Sequence, residues 1–138
     1  MRVMVLVKAS RESEAGQMPS ERILREMTNY NEQLVNAGVM QAGEGLKPSS
    51  AGKRVKFDGA QRVVTDGPFA ETKELLSGFW LWKVASIEDA VDWLKKAPFG
   101  GGTEIEIRPI LEAEDFGKEL AADVREKEER LRAQIERH

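Results

Sequence analysis

Cysteine is absent from the 138-residue chain, which excludes disulfides, thiolate chemistry and cysteine-ligated zinc. Histidine occurs once, as His138 at the end of the sequence, where we expect a frayed side chain that is unsuited to act as a catalytic base. A metal site would therefore need carboxylates alone, which favour Mg²⁺, Mn²⁺ or Ca²⁺. The acidic residues show no ordered ligand spacing, so the sequence predicts no metal and no cofactor.

Long apolar runs are also absent near the start of the chain. Residues 3–7 are apolar and lie between two basic side chains, which is too short a run for a signal-peptide core or a membrane span. The sequence has no phosphate-loop, zinc-protease or serine-hydrolase motif, and the glycines at 100–102 lack phosphate-loop spacing. The default expectation is a cytoplasmic protein without a membrane partner.

Basic charge is not concentrated anywhere in the sequence. Residues 112–138 hold six Lys/Arg against nine Asp/Glu, which accounts for the whole net charge of −3. Residues 1–111 are balanced, so no basic face is large enough to predict direct binding to nucleic acid. This change in composition, together with the length of the chain, predicts one domain over residues 1–111 and a helical extension over residues 112–138.

The stretch VTDGPFAETKE, residues 64–74, combines the strongest backbone constraints with a cluster of charges. Gly67 tolerates conformations that other residues avoid, and Pro68 fixes its own φ. Asp66 is a turn-former, because its carboxylate can accept hydrogen bonds from the following backbone. The stretch therefore predicts a fixed turn with a candidate polar site beside it.

The string TDGPFAETKE resembles the hallmark of the DGPF proteins, a branch of the YCII-related family. Matching pieces are GEGL at 43–46, GFWL at 78–81 and EIRPI at 106–110. The resemblance implies a ferredoxin-like α+β chain that forms a homodimer with a dimeric α/β barrel. Most members of that family are uncharacterised, so the resemblance implies no single activity.

Apolar periodicity and turn residues predict the order of secondary-structure elements. Residues 9–19 read as a polar, mobile loop. The predicted elements are a strand at 2–8, a helix at 20–38, a strand at 39–46, a hairpin with strands at 54–57 and 61–65, a strand at 78–85, a helix at 86–97, a strand at 103–111 and a long charged helix at 113–138. This order is the ferredoxin-like βαββαβ pattern with an inserted β-hairpin.

Trp80 and Trp82 lie on one face of the predicted strand at 78–85, with Phe79 and Leu81 on the other. Helices can cover one face of the sheet, and an exposed pair of tryptophans would form an association surface. We therefore expect a second subunit to cover the second apolar face. Trp80 and Trp82 could instead line a ligand cavity, but the sequence favours subunit-interface packing.

Asp66 and Glu71 are the candidate catalytic residues. If they converge in a poorly hydrated pocket, repulsion between the two carboxylates raises the pKa of one and makes an acid–base pair. Turn formation by Asp66 is the simpler interpretation. Lys73 is a candidate ligand contact in the same stretch, with an ordinary solvated loop as the alternative.

Glu44 and Arg108 are further candidate ligand contacts, since Arg108 could clamp a carboxylate or phosphate. The alternative is a structural salt bridge from Arg108 to Glu44, Glu104 or Glu106. Family resemblance also implies a histidine–aspartate pair whose histidine would align near Met27. No histidine is present there, so a mechanism that depends on it does not transfer.

Two functions remain open from the sequence. The first is binding of a small molecule in a pocket near the DGPF loop and the dimer interface, with carboxylate acid–base catalysis as an extension. The second is a non-catalytic regulatory or protein-interaction module, because the resemblance implies a link to extracytoplasmic-function sigma factors. In the second case the C-terminal helix would contact the partner protein.

Overall fold

The computed structural model describes residues 1–119 and 121–137, except for the side chains of Lys73, Lys118 and Glu119. Predictions that concern Leu120 and His138 lie outside the described residues. The elements are β1 (Arg2–Lys8), α1 (Arg11–Glu14), α2 (Glu21–Asn36), β2 (Met40–Gly45), β3 (Lys53–Asp58), β4 (Gln61–Asp66), β5 (Leu76–Lys83), α3 (Ile87–Lys95), β6 (Ile105–Pro109) and α4 (Ala122–Arg137). Short 3₁₀ turns cover Ser49–Ala51, Thr72–Glu74 and Ala113–Glu119.

Within the described residues, the main sheet has four antiparallel strands in the order β2-β5-β1-β6. The pair β3–β4 forms a separate two-stranded sheet whose residues are all exposed. This arrangement confirms the predicted α+β, ferredoxin-like order with an inserted hairpin. It also places β1 inside the sheet, a position that suits a strand with apolar residues on both faces.

The hydrophobic core lies between the main sheet and the helices α2 and α3. The strand register pairs Val3 with Trp82 and Val5 with Trp80, so these four side chains share one face. They are 0–5% exposed and belong to the same buried cluster as Leu34 of α2 and Ala90 of α3. The expectation that another subunit covers the tryptophan face is therefore wrong, because the chain's own helices cover it.

Tyr30 joins the two core helices. Its hydroxyl donates a hydrogen bond of 2.5 Å to the backbone carbonyl of Trp93, and its side chain is buried. Burial raises the pKa of Tyr30 to about 12, since the charged phenolate would lose its hydration. The hydroxyl is consequently held in its protonated, donating form well above neutral pH.

The face of the sheet opposite the helices is also apolar. Register pairs Met4 with Leu81 and Leu6 with Phe79, and all four side chains are half-buried. Arg108 lies opposite Met4 on the same face. This second face is therefore an apolar patch with charge at its rim.

Local capping interactions set the boundaries of α2 and α3. The Ser20 hydroxyl accepts a hydrogen bond from the Ile23 N–H at the start of α2, and Ser86 does the same for Asp89 at the start of α3. Gly38 follows α2 with a φ of 73°, the left-handed conformation common just after a helix. None of the helices in the described part of the chain is long and apolar enough to span a membrane.

The predicted C-terminal helix is confirmed as α4, but it begins at Ala122 and not at residue 113. A 3₁₀ turn precedes it, because Gly117 has a φ of 59° and breaks the helical path. The prediction of a loop over residues 9–19 was wrong in part. The short helix α1 forms there, and Ser10 and Ser13 make a reciprocal capping box at its start.

The C-terminal segment contacts β1 through a bidentate ion pair between Arg2 and Glu112, with N···O distances of 2.9 and 3.1 Å. The hydrogen bond from Arg2 lowers the pKa of the Glu112 carboxyl. Val124, Leu131 and Ile135 of α4 remain 42–73% exposed. The role of this helix as a contact for a partner protein stays a prediction.

Candidate functional site

A cleft of about 640 Å³ opens on the helical side of the main sheet. It lies between the N-terminal half of α2, the segment 9–20, the neighbouring strands β2 and β5, and the turn at 98–100. Most of its wall is apolar. The side chains that dominate this wall are Met18, Ile23, Leu24, Met27, Trp80 and Phe99.

Trp80 forms the rigid inner wall of the cleft. Its indole N–H donates a hydrogen bond of 3.0 Å to the side-chain carbonyl of Asn31. The rings of Tyr30 and Phe99 meet it edge-on, with centroid distances of 5.9 and 6.0 Å. A buried tryptophan with a satisfied N–H and two aromatic neighbours has little freedom to change rotamer.

Gly43 on β2 makes room for the Trp80 ring. A Cβ at this position would lie 2.6 Å from Cδ1 of Trp80 and 2.8 Å from the terminal methyl carbon of Met40. A glycine within a strand commonly marks such a close approach. Because position 43 has no side chain, the indole can lie close to the backbone of β2.

Few polar groups face the cleft. The hydroxyls of Ser10, Ser13 and Ser20 cap the helices α1 and α2. Glu12 and Glu44 are the charged residues among the described lining residues. The register pairs Glu44 with Phe79, which directs its side chain to the sheet face opposite Trp80. The cleft therefore suits a largely apolar, neutral molecule.

The structure places the two candidate catalytic residues at the base of the exposed hairpin. Asp66 is 74% exposed, and its carboxylate lies 2.5 Å from the Lys53 ammonium. Glu71 is 64% exposed and lies 3.8 Å from the Arg54 guanidinium. Each carboxylate has a basic partner and abundant solvent, so these residues do not form the poorly hydrated pair that acid–base catalysis requires.

The candidate ligand contacts separate into different parts of the fold. Trp80 and Glu44 are both lining residues of the cleft, but the Glu44 side chain is directed to the opposite face of the sheet, whereas Trp82 is fully buried in the core. Arg108 lies on the opposite face of the sheet, 3.4 Å from Glu106, which agrees with the salt-bridge alternative. The side chain of Lys73 lies outside the described residues.

A second, more open cavity of about 490 Å³ lies beside the DGPF turn, which is formed by residues 66–69. Phe69 and Arg54 form part of its wall, and the guanidinium carbon of Arg54 lies 3.8 Å from the centre of the Phe69 ring. Neither Asp66 nor Glu71 lines this cavity. Among the described residues there is no cluster of three or more side chains that could hold a metal ion.

Sequence reasoning missed the cleft although it identified the helix that borders it. Ile23, Met27, Tyr30 and Leu34 form an apolar stripe at helical spacing along α2, but of these four only Tyr30 and Leu34 are buried. Ile23 is 39% exposed at the cleft. A signal for the cleft was present in the sequence, because the apolar stripe of α2 extends beyond the core that this helix covers. The point at which that core ends, however, depends on contacts with distant strands.

Comparison with known proteins confirms the family. The YCII-related domain matches residues 1–114, so the chain belongs to the YCII-related domain family. It is 36% identical over 93 residues to an uncharacterised protein of Rhizobium meliloti (strain 1021), which corresponds to 65% of this chain and 74% of that protein.

A solved structure is also similar. It is the 5-chloro-2-hydroxyhydroquinone dehydrochlorinase of Burkholderia phenoliruptrix AC1100 in complex with 2,5-dihydroxybenzoquinone. The match has 15% sequence identity, a TM-score of 0.42, and coverage of 77% of this chain and 91% of the other. A likeness of this strength carries no argument about function.

Proposed function

We propose that the protein binds a small, neutral and largely apolar molecule in the cleft beside α2. The observation that carries this proposal is an open apolar cavity of about 640 Å³ with the rigid indole of Trp80 as its inner wall. This volume is in the range of small-molecule sites, which are typically apolar with a few polar groups. Binding without catalysis is the simpler function, since no pair of carboxylates faces the cleft from its described lining.

Ile23→Trp tests the cleft directly. The larger ring should occupy the mouth of the cleft at little cost in stability, because Ile23 is 39% exposed. We expect the affinity for the neutral fluorescent probe N-phenyl-1-naphthylamine to fall about tenfold or more, on the order of 1.4 kcal/mol. Probe fluorescence in a titration measures this affinity.

Glu32→Trp is the matched control for that experiment. It adds the same ring to α2 at an exposed position nine residues further on, half a turn around the helix from Ile23. Its affinity for the probe should stay at the wild-type value. Failure of the wild-type protein to bind the probe, or equal losses in both variants, would count against the cleft as a binding site.

We also propose that the protein forms a homodimer through the sheet face opposite the helices. The support is the half-buried patch of Met4, Leu6, Phe79 and Leu81, since apolar patches on a protein surface commonly mark association sites. Charged residues at its rim, such as Arg108 and Glu106, would fix the orientation of the second copy.

Leu81→Lys should convert this dimer to a monomer, because each interface would have to bury an unpaired ammonium group. Analytical ultracentrifugation of the full chain measures the mass. Val91→Lys on α3, at a position 38% exposed on the helical side, should leave the dimer intact. A wild-type protein that sediments as a monomer would overturn the proposal.

A further inference from the structure

One serine hydroxyl joins three separate segments of the chain. The Glu14 carboxylate accepts two hydrogen bonds from Ser49: one from its backbone N–H at 3.0 Å and one from its hydroxyl at 2.5 Å. The Ser49 hydroxyl oxygen in turn accepts a hydrogen bond of 3.1 Å from the Phe69 N–H. These three contacts connect α1, the 3₁₀ turn at Ser49–Ala51 and the DGPF turn.

The DGPF turn lies directly on that 3₁₀ turn. The Gly67 N–H donates a hydrogen bond of 3.0 Å to the Gly52 carbonyl. A Cβ at position 67 would lie only 1.7 Å from the Ser49 carbonyl oxygen, so no other residue fits without moving the backbone. Gly67 and Phe69 therefore fix the position of Ser49.

The other end of this connection is the outer wall of the cleft. Glu12 and Ser13 of α1 line the cleft, as do Gln17 and Met18 in the segment that follows. A helix of four residues is far too short to be stable alone, so its position depends on tertiary contacts. The two bonds from Glu14 to Ser49 supply such contacts, and the charge on the carboxylate strengthens them.

We propose that Glu14 and Ser49 are positioning residues that transmit the placement of the DGPF turn to the wall of the ligand cleft. This inference rests on the proposed binding function of the cleft. The DGPF turn then contributes to the binding site without touching the ligand. Under this proposal the DGPF motif affects ligand binding even if the nearby carboxylates Asp66 and Glu71 have no chemical role.

Amide hydrogen exchange, measured by mass spectrometry on the full chain, tests the connection. Exchange reports local opening even where the global fold is intact. Glu14→Ala should accelerate exchange about tenfold in residues 9–20, and Ser49→Ala should do so in both residues 9–20 and 66–71. Exchange in β1 and β5 should not change. Arg11→Ala, at an exposed position in the same short helix, is the control and should behave as wild type.

Binding of N-phenyl-1-naphthylamine provides the second readout. Glu14→Ala and Ser49→Ala should each weaken probe affinity at least threefold. Glu14→Gln should restore most of it, since the amide oxygen still accepts from the Ser49 N–H. Unchanged exchange in residues 9–20 of Glu14→Ala would overturn the connection, and faster exchange with unchanged affinity would overturn its role in positioning the site. If wild type fails to bind the probe while exchange changes as expected, the connection stands and the proposed binding function fails.

Discussion

Gly67→Ala is expected to destabilise the protein by about 3 kcal/mol or more, the upper end of the usual cost of overpacking. The added Cβ would lie 1.7 Å from the Ser49 carbonyl oxygen and 2.6 Å from its carbonyl carbon. Both are backbone atoms, so rotation of a side chain cannot relieve the clash. The DGPF turn would have to separate from the 3₁₀ turn, which would break the hydrogen bonds that Gly67 and Phe69 make there.

Urea unfolding followed by tryptophan fluorescence measures this loss. Gly101→Ala is the control, because a Cβ there would meet no atom within 4 Å and the residue has no positive φ. Its free energy of unfolding should stay within about 0.5 kcal/mol of wild type. Equal stability of the two variants would show that the DGPF turn does not rest on Ser49.

Trp82→Ala is expected to cost about 3–5 kcal/mol, as is usual when a large aromatic side chain is removed from a core. Trp82 has no exposed surface and is the largest of the fully buried side chains described. Its buried indole N–H has no hydrogen-bond partner among the described residues, an arrangement that costs about 1–3 kcal/mol. Trp82→Phe removes this unsatisfied donor, so we expect it to cost much less than Trp82→Ala.

Trp80→Phe is the matched comparison for Trp82→Phe. Both tryptophans lie on the same face of β5, but the Trp80 N–H donates to Asn31. Phe at position 80 would leave the Asn31 carbonyl without that donor. We therefore expect Trp80→Phe to be the more destabilising in thermal or urea unfolding. The reverse order would mean that the Trp82 N–H has a partner in solution.

Local signals in the sequence predicted most of the regular fold. Strand β1 has the predicted bounds, and α2 and α3 each begin within one residue of the predicted starts at 20 and 86. The predicted hairpin is present, with Asp58 paired to Gln61 across its tight loop. These features depend on neighbouring residues, so periodicity and turn chemistry were sufficient.

Features that depend on distant contacts were not predictable in the same way. Alternation along β5 showed that Trp80 and Trp82 share a face, but not that α2 and α3 would cover that face. Helix α1 has too few residues to show a periodic pattern, and its anchor at Ser49 lies 35 residues from Glu14.

Prediction of the candidate site was only partly successful for a similar reason. Trp80 was identified because a large aromatic side chain is a candidate for a ligand cavity or an interface wherever it occurs in a sequence. Asp66 and Glu71 were named as candidates because they belong to a cluster of charges. Their basic partners, Lys53 and Arg54, lie on β3, the other strand of the hairpin. The catalytic roles of these two carboxylates stay predictions.

The sheet order has a consequence for the kinetics of folding. Strand β1 hydrogen-bonds only to β5 and β6 in the described sheet, and both follow it in the chain, so Val3 pairs with Trp82 and Pro109. Its apolar residues therefore have no partner in the described sheet until β5 has been synthesised. Such long-range pairing folds slowly and leaves apolar segments open to aggregation. During synthesis, the apolar side chains of β1 therefore have to remain unpaired while the whole segment up to β5 is made.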